Sequence, residues 1–398
     1  MTTFGRSMLS HWHLDPAVTY LNHGTVGAVP KRVLAAQRDI QDAIERNPAL
    51  ALLRELSEVR VGVPNGKRPR LRAVADQVAP FFGARGEDLL FVDNATTGAN
   101  AVLRSLALAP GDEILVTDHG YGGVTNAARF VAREAGASLR TVELPDPISR
   151  PSQVVDAIVA GLEASPERVR LAVIDHIAAD SALIFPLRAI VDACHARGVP
   201  VLVDGAHAPG AIALDIPSLG ADWYVGNLHK WLWAPRASAV LWVSEARHAG
   251  LHPTVISWGL DQGVTAEFDL VGTRDPSPYL AVPAALELRR ELGGEEAIRG
   301  YNHALVWQAA GTLTARWGTS YVVPESMVGP MATVPLPSAL GSTPDDAARL
   351  KDALLFEDGI ELNIKALHGG LHARLAAQIY NDAADFDRLG AAIERRVG

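Results

Sequence analysis

One cysteine, Cys194, is all that the 398-residue sequence contains. That excludes an internal disulfide and any metal cluster built on several thiolates. Long hydrophobic runs are missing too, with no stretch reaching the roughly 18 uninterrupted apolar residues of a membrane span. Met1 to Leu14 carries Arg6, His11 and His13 without an apolar core, which argues against a secretory signal. Positive charge is in deficit, with 36 Lys and Arg against 45 Asp and Glu, a net charge of −9. Nucleic acid and anionic membrane both need a basic surface, so neither is expected as a partner. No internal repeat, low-complexity run or metal-binding constellation is present. A reducing cytoplasm fits these absences.

What is there is an ordinary globular composition, with 48% hydrophobic and 20% charged residues over a length that suggests two domains. The middle of the chain alternates short apolar runs with helical patterns. The candidate strands are Leu89–Val92, Glu113–Thr117, Leu139–Leu144, Arg170–Asp175, Pro200–Asp204, Trp223–Gly226 and Ala239–Val243. Most are rich in Val, Ile and Leu without strict alternation, as in strands buried on both faces. Helical stretches such as Thr97–Leu108 and Pro186–Arg197 lie between them. This alternation predicts an α/β fold whose sheet is largely parallel, with ligands beyond the carboxyl ends of the strands. From about Val282 onward the helical patterns Ala284–Leu292, Glu295–Trp317 and Thr343–Asp358, with short apolar runs at Tyr321–Val323 and Ala332–Pro335, predict a smaller α+β domain. The expected division is a large domain over 15–268 and a small one from 269–398 joined by 1–14. The basic stretch Val61–Arg72, with Pro64, Gly66 and Pro69, is expected as an exposed loop.

Two strand ends stand out. Pro200–Val203 runs into Asp204, and Trp223–Gly226 runs into Asn227-Leu228-His229-Lys230. Alone, Asp204 suits a helix N-cap or a surface ion pair, and Lys230 a lysine snorkelling at the sheet edge. Their separation of 26 residues, however, holds one connection and one strand, which delivers a carboxylate and an amine to the same edge. Desolvation there lowers the lysine pKa and frees its lone pair for attack on a carbonyl. A bound pyridoxal needs this pair: the amine forms the imine, and the carboxylate keeps the ring nitrogen protonated. Upstream, the turn Asp93–Gly98 opens a helix whose N-terminus and threonine hydroxyls suit an anion, although Thr and Asn also serve as plain N-caps.

The residues resemble the class V aminotransferase family of fold-type I pyridoxal 5′-phosphate (PLP) enzymes, most closely the isopenicillin N epimerase-like branch. Four segments carry the resemblance: Tyr20–Gly27, Asn94–Gly98, Val203–His207 through His229-Lys230, and Gly272–Asp275 with Arg374 before Ala377–Asn381. It implies a mostly parallel, mixed seven-stranded sheet plus the small C-terminal α+β domain, and a homodimer whose active site is shared across the interface. It further implies that Lys230 is the Schiff-base lysine, Asp204 the partner of the pyridine nitrogen, His207 a neighbour of the ring, and His119 a stacking imidazole. Thr96, Thr97, Asn227 and His229 correspond to phosphate ligands, and Thr273 to the residue lent to the neighbouring subunit's phosphate. Arg374 resembles the arginine that grips the substrate α-carboxylate, with His23 and Asn22 beside the substrate. Two departures are visible: Asn227 stands where many relatives have serine, and Ala178-Ala179-Asp180 where a polar contact to the cofactor is expected.

The resemblance implies an amino-acid substrate and an epimerase or aminotransferase-type reaction, with a C–S β-lyase that uses no enzyme thiol as the alternative and a non-catalytic binding protein as a further one. Cys194 lies in a helical pattern and reads as an inert core residue, which disfavours a persulfide mechanism. Epimerisation needs a second acid/base, for which His23, Tyr121, His368 and His372 are candidates; the last two fall in an expected loop, Lys365–His372.

Overall fold

A computed structural model describes residues 3–59 and 66–397. Twelve strands among them form three sheets. The strands are β1 (Thr19–Tyr20), β2 (Leu89–Val92), β3 (Glu113–Thr117), β4 (Ser138–Val142), β5 (Val169–Asp175), β6 (Val201–Asp204), β7 (Trp223–Asn227), β8 (Ala239–Val243), β9 (Met331–Pro335), β10 (Ile360–Glu361), β11 (Asn363–Leu367) and β12 (Gly370–Ala376).

The large sheet has the order β2-β8-β7-β6-β5-β3-β4. Every pair is parallel except those of β8, which runs antiparallel to both β2 and β7. The expected mixed, mostly parallel seven-stranded sheet is therefore present. All seven predicted strands exist, and most are buried throughout, because helices cover both faces and leave no side for polar residues. β4 departs from that expectation: as the sheet edge it leaves Ser138–Thr141 partly or fully exposed. In register, Asp175 at the end of β5 lies beside Asp204 at the end of β6, and Asp204 beside Val225 in β7. The topology thus brings three strand ends to one edge of the sheet.

The C-terminal third builds a second core around helix Gly294–Trp317, helix Pro344–Asp358 and the sheet β11-β12-β9. The segment expected as a loop, Lys365–His372, is instead most of a β-hairpin. Leu367 pairs with Gly370 across a two-residue turn, His368-Gly369, in which both residues have positive φ. Tyr321–Val323 forms no strand. The N-terminus joins this region: β1 pairs in parallel with β10, and Leu21 is part of the second core. Of the basic stretch expected as a loop, residues 61–65 lie outside the described residues, while Arg70–Arg72 begin helix Arg70–Val78. Arg72 is buried and bonded to Asp269 at 2.7 and 2.8 Å, a pairing that buried charge demands.

Candidate active site

A cavity of about 540 Å³ opens at the carboxyl edge of the large sheet. Thr96, Thr97, Asp204, His207, Asn227, His229 and Lys230, seven of the residues singled out by sequence, line it together. Lys230 follows β7 by three residues, and its Nζ lies 3.1 Å from His207 Nε2. Burial, and then the Arg374 charge, lower the Lys230 pKa to about 8 despite the opposing pull of Asp204. The backbone around the lysine is pinned from two sides. The His23 Nε2–H donates to the Lys230 carbonyl at 3.1 Å, and the buried Arg289 donates to the carbonyls of Trp231 and Gly210 at 2.7 and 3.0 Å. Gly27 allows this approach, since a Cβ there would stand 2.4 Å from the His229 carbonyl and 2.8 Å from the Lys230 Cα. The second glycine that packing dictates is Gly205, where the Tyr224 ring occupies the place of a Cβ at 2.1 Å.

Asp204 accepts from the Ala206 N–H at 3.0 Å through Oδ1, while its buried Oδ2 has no partner among the described residues. Two adjoining buried carboxylates do not both ionise. Burial, and then the Asp204 charge, push Asp175 well up; burial raises Asp204 as well, against the opposing pull of the Ala206 N–H and Lys230. Of the two carboxyls, Asp175 is pushed the further. Asp175 was not singled out by sequence, although the signal was the same one that found Asp204: an acid closing a buried strand.

At the other end of the cavity, helix Ala95–Arg104 starts from the N-cap Asn94, whose Oδ1 accepts from the Thr97 N–H at 2.8 Å. The Asn227 Oδ1 accepts from the Ala95 N–H at 2.8 Å, which leaves the Asn227 amide N–H groups to donate. The His229 Nδ1–H donates to the Ser238 carbonyl at 2.9 Å, so Nε2 is left for another partner. Burial lowers the His229 pKa to about 4, and a bound anion would restore its proton.

Arg374, on β12, is buried and is not itself part of the cavity lining. It donates to the Ala179 carbonyl and the Thr25 hydroxyl, both on residues of the cavity wall, and its Nε has no partner among the described residues. Burial lowers its pKa to about 10, still far above neutrality. Asn22 braces Thr25 by accepting from its hydroxyl at 2.6 Å, and donates to Glu361 at 2.8 Å. His23 is wholly buried, with Nδ1 2.8 Å from the Tyr380 hydroxyl, so both of its ring nitrogens are engaged. Sequence reasoning missed Thr25, which lies inside one of the quoted segments.

Four predicted residues line other cavities: His119, His368 and His372 a second one, and Thr273 a separate cleft. His119 is absent from the lining of the Lys230 cavity; its Nδ1 is 2.8 Å from Ser181 Oγ in that second cavity, and Tyr121 takes the wall position. Thr273 is exposed and lines a separate cleft with Gln41 and Glu45. Asp180 faces Lys365 at 3.4 Å. Cys194 is buried in helix Leu187–His195, with its pKa raised to about 12 by burial. No group of acids, histidines or cysteines among the described residues suits a metal ion.

Residues 68–353 match the family described as aminotransferase class-V. The chain is 33% identical over 406 residues to a probable L-cysteine desulfhydrase, chloroplastic, of Arabidopsis thaliana, covering 96% of this chain and 83% of that protein. It is 31% identical over 403 residues to isopenicillin N epimerase of Streptomyces clavuligerus, covering 97% and 96%. Among solved structures, a cystine C–S lyase in complex with its reaction product cysteine persulfide superposes with a TM-score of 0.75 at 22% identity, covering 94% of this chain and 97% of that one.

Proposed function

The chain belongs to the aminotransferase class-V family, and on that premise we propose that it is a PLP-dependent enzyme that removes the Cα proton of an amino acid and expels a sulfur leaving group from Cβ. The observation that carries the PLP assignment is a buried carboxylate oxygen without a partner, Asp204 Oδ2, beside a lysine whose pKa is lowered to about 8. A protonated pyridine nitrogen would supply the donor that this oxygen lacks. Lys230 Nζ would be the attachment point; Thr96, Thr97, Asn227 and His229 would hold the phosphate, and His207, with a buried Nδ1 lacking a partner among the described residues, would lie beside the ring. His119 has no part in the wall, so Tyr121 is the better candidate to face the ring. When bound, PLP supplies an electron sink for the negative charge left at Cα.

Arg374 Nε and its neighbouring N–H groups grip the substrate α-carboxylate, which fixes Cα over Lys230. Lys230 Nζ then takes the Cα proton and can pass it to the departing sulfur. That sequence needs one nitrogen base, whereas epimerisation needs acid/base groups on both faces of Cα. Lys230 supplies one. His23 is not available as the other, because its two nitrogens are committed to Tyr380 and the Lys230 carbonyl. Epimerisation remains the second reading through Tyr121, which lines the cavity and is 48% exposed. The chain has no thiol for a persulfide: Cys194→Ala is expected to leave kcat within about twofold, since a buried inert thiol contributes packing alone.

The active unit proposed is a homodimer. Val255, Ile256, Trp258 and Leu260 form an exposed apolar segment, with Trp258 80% exposed, and Val255 lines a cleft with Arg274, next to Thr273. A partner covering this segment would place Thr273 at the second site. The one free cysteine makes a reducing compartment, the cytoplasm, the proposed location.

The deciding experiment incubates PLP-loaded protein with S-substituted L-cysteines and with L- and D-amino acids in deuterated water. Release of pyruvate and thiol is expected from the former; deuterium at Cα with inversion and no pyruvate would favour the epimerase. Arg374→Ala is expected to raise KM for amino acids by about 100-fold, the weight of a buried charged hydrogen bond, with a smaller change in kcat. An unchanged KM would reject the carboxylate assignment.

A further inference from the structure

A second cavity, of about 260 Å³, is lined by residues that neighbour those of the first in sequence. The walls alternate along the chain: Ala179 lines one cavity and Ser181 the other, and Tyr121 and His119 divide in the same way. β12 contributes His372 to the second cavity, and its Arg374 holds Ala179 and Thr25 in the wall of the first. Side chains two apart on a strand share a face, so His372, in the second cavity, lies on the face that carries Arg374. The register extends this face sideways, with Thr333 opposite Arg374 and Pro335 opposite His372, and both of these line the second cavity.

We propose that this second cavity receives the side chain of the substrate, and that the substrate is an amino acid with a bulky, uncharged aromatic or apolar substituent rather than free cysteine. The inference rests on the PLP reading above. A carboxylate held by Arg374 leaves the remainder of the molecule to extend along β12 toward His372. The second cavity is walled by Tyr321, Val322, Leu367 and the imidazoles of His119, His368 and His372. The imidazole rings form a chain His119, His368, His372 at 6.3 and 6.0 Å, tilted by 50° and 79° to one another, which gives the wall aromatic surface in more than one orientation. Charge disfavours an anionic substituent: Asp146 lies 3.5 Å from His368, Asp118 and Asp180 also act on His119, and the nearby Lys365 is paired with Asp180. Cysteine would leave this space unfilled, and a cavity next to a reaction centre is where side-chain selection is made.

The test compares S-benzyl-L-cysteine with L-cysteine on the PLP-loaded protein, by kcat/KM for thiol release. Calorimetry of L-homophenylalanine and L-alanine, which carry no leaving group at Cβ, reads binding separately. The wild type is expected to favour the benzyl substrate, and L-homophenylalanine, at least about tenfold. Val322→Trp and Ser320→Trp, two exposed wall positions where a larger side chain need not disturb the core, are expected to lower both preferences at least about tenfold. Equal handling of long and short ligands by the wild type, or unchanged preferences in both folded variants, would overturn the subsite while leaving the PLP reading standing. Failure of the wild type to bind or turn over any of the four would reject both.

Discussion

Lys230→Ala is expected to lower turnover of every amino-acid substrate by at least about 10⁴-fold, because in the proposed mechanism one side chain both anchors the cofactor and moves the Cα proton. The two roles separate by measurement. The long-wavelength absorbance of PLP attached to the wild type should be absent in the variant, leaving the spectrum of the free aldehyde. Added small amines should restore part of the proton transfer without restoring the attachment. In the unloaded wild type the amine must be neutral to attack a carbonyl, and its pKa is lowered to about 8 by burial and Arg374. The rate of PLP attachment should therefore rise with pH up to about 8 and level off above it. Removing the Arg374 charge should move that midpoint upward, since the charge depresses the pKa. A wild type that shows only the free-aldehyde spectrum when mixed with PLP would remove the lysine from the mechanism.

Asp204→Asn is expected to cost about 10²- to 10³-fold in kcat, the scale of losing one preorganised electrostatic partner of the developing charge. A neutral amide cannot hold the ring nitrogen in its protonated form, so the electron sink is weakened while the cavity keeps its shape. Stability should go the other way. Asp204 is a buried carboxyl beside Asp175, and its Oδ2 has no partner among the described residues. Replacing it with a neutral group relieves desolvation and repulsion, so the melting temperature of the unloaded variant should equal or exceed that of the wild type. A parallel loss of melting temperature and activity would show Asp204 to be a structural residue.

The sheet and the two central site residues were legible because buried strands in an α/β fold announce themselves as short apolar runs, and an acid or a lysine closing such a run is conspicuous. Asp204 and Lys230 were found in this way. Asp175 closes β5 by the same rule and was passed over. The hairpin of β11 and β12 was legible too: Ile364, Ala366, Leu371, Ala373 and Leu375 alternate about His368-Gly369, but the histidines and glycines suggested a loop. What no local pattern reveals is how distant segments meet. The sheet order is not sequential. The engagement of both His23 nitrogens depends on Tyr380, 357 positions away. The separation of His119 from Tyr121 into different cavities depends on how the β3 loop meets the hairpin.

The placement of Arg374 has a consequence for biosynthesis. Its guanidinium holds the Thr25 hydroxyl, and the segment containing Thr25 lies over the Lys230 backbone at Gly27. Segments 349 positions apart therefore close the site together. A nascent chain that stops before β12 possesses the lysine, the aspartate and the phosphate cradle, yet lacks the strand that fastens its roof. Closure of the site over Lys230 is accordingly expected only in a chain that carries both the Thr25 segment and β12.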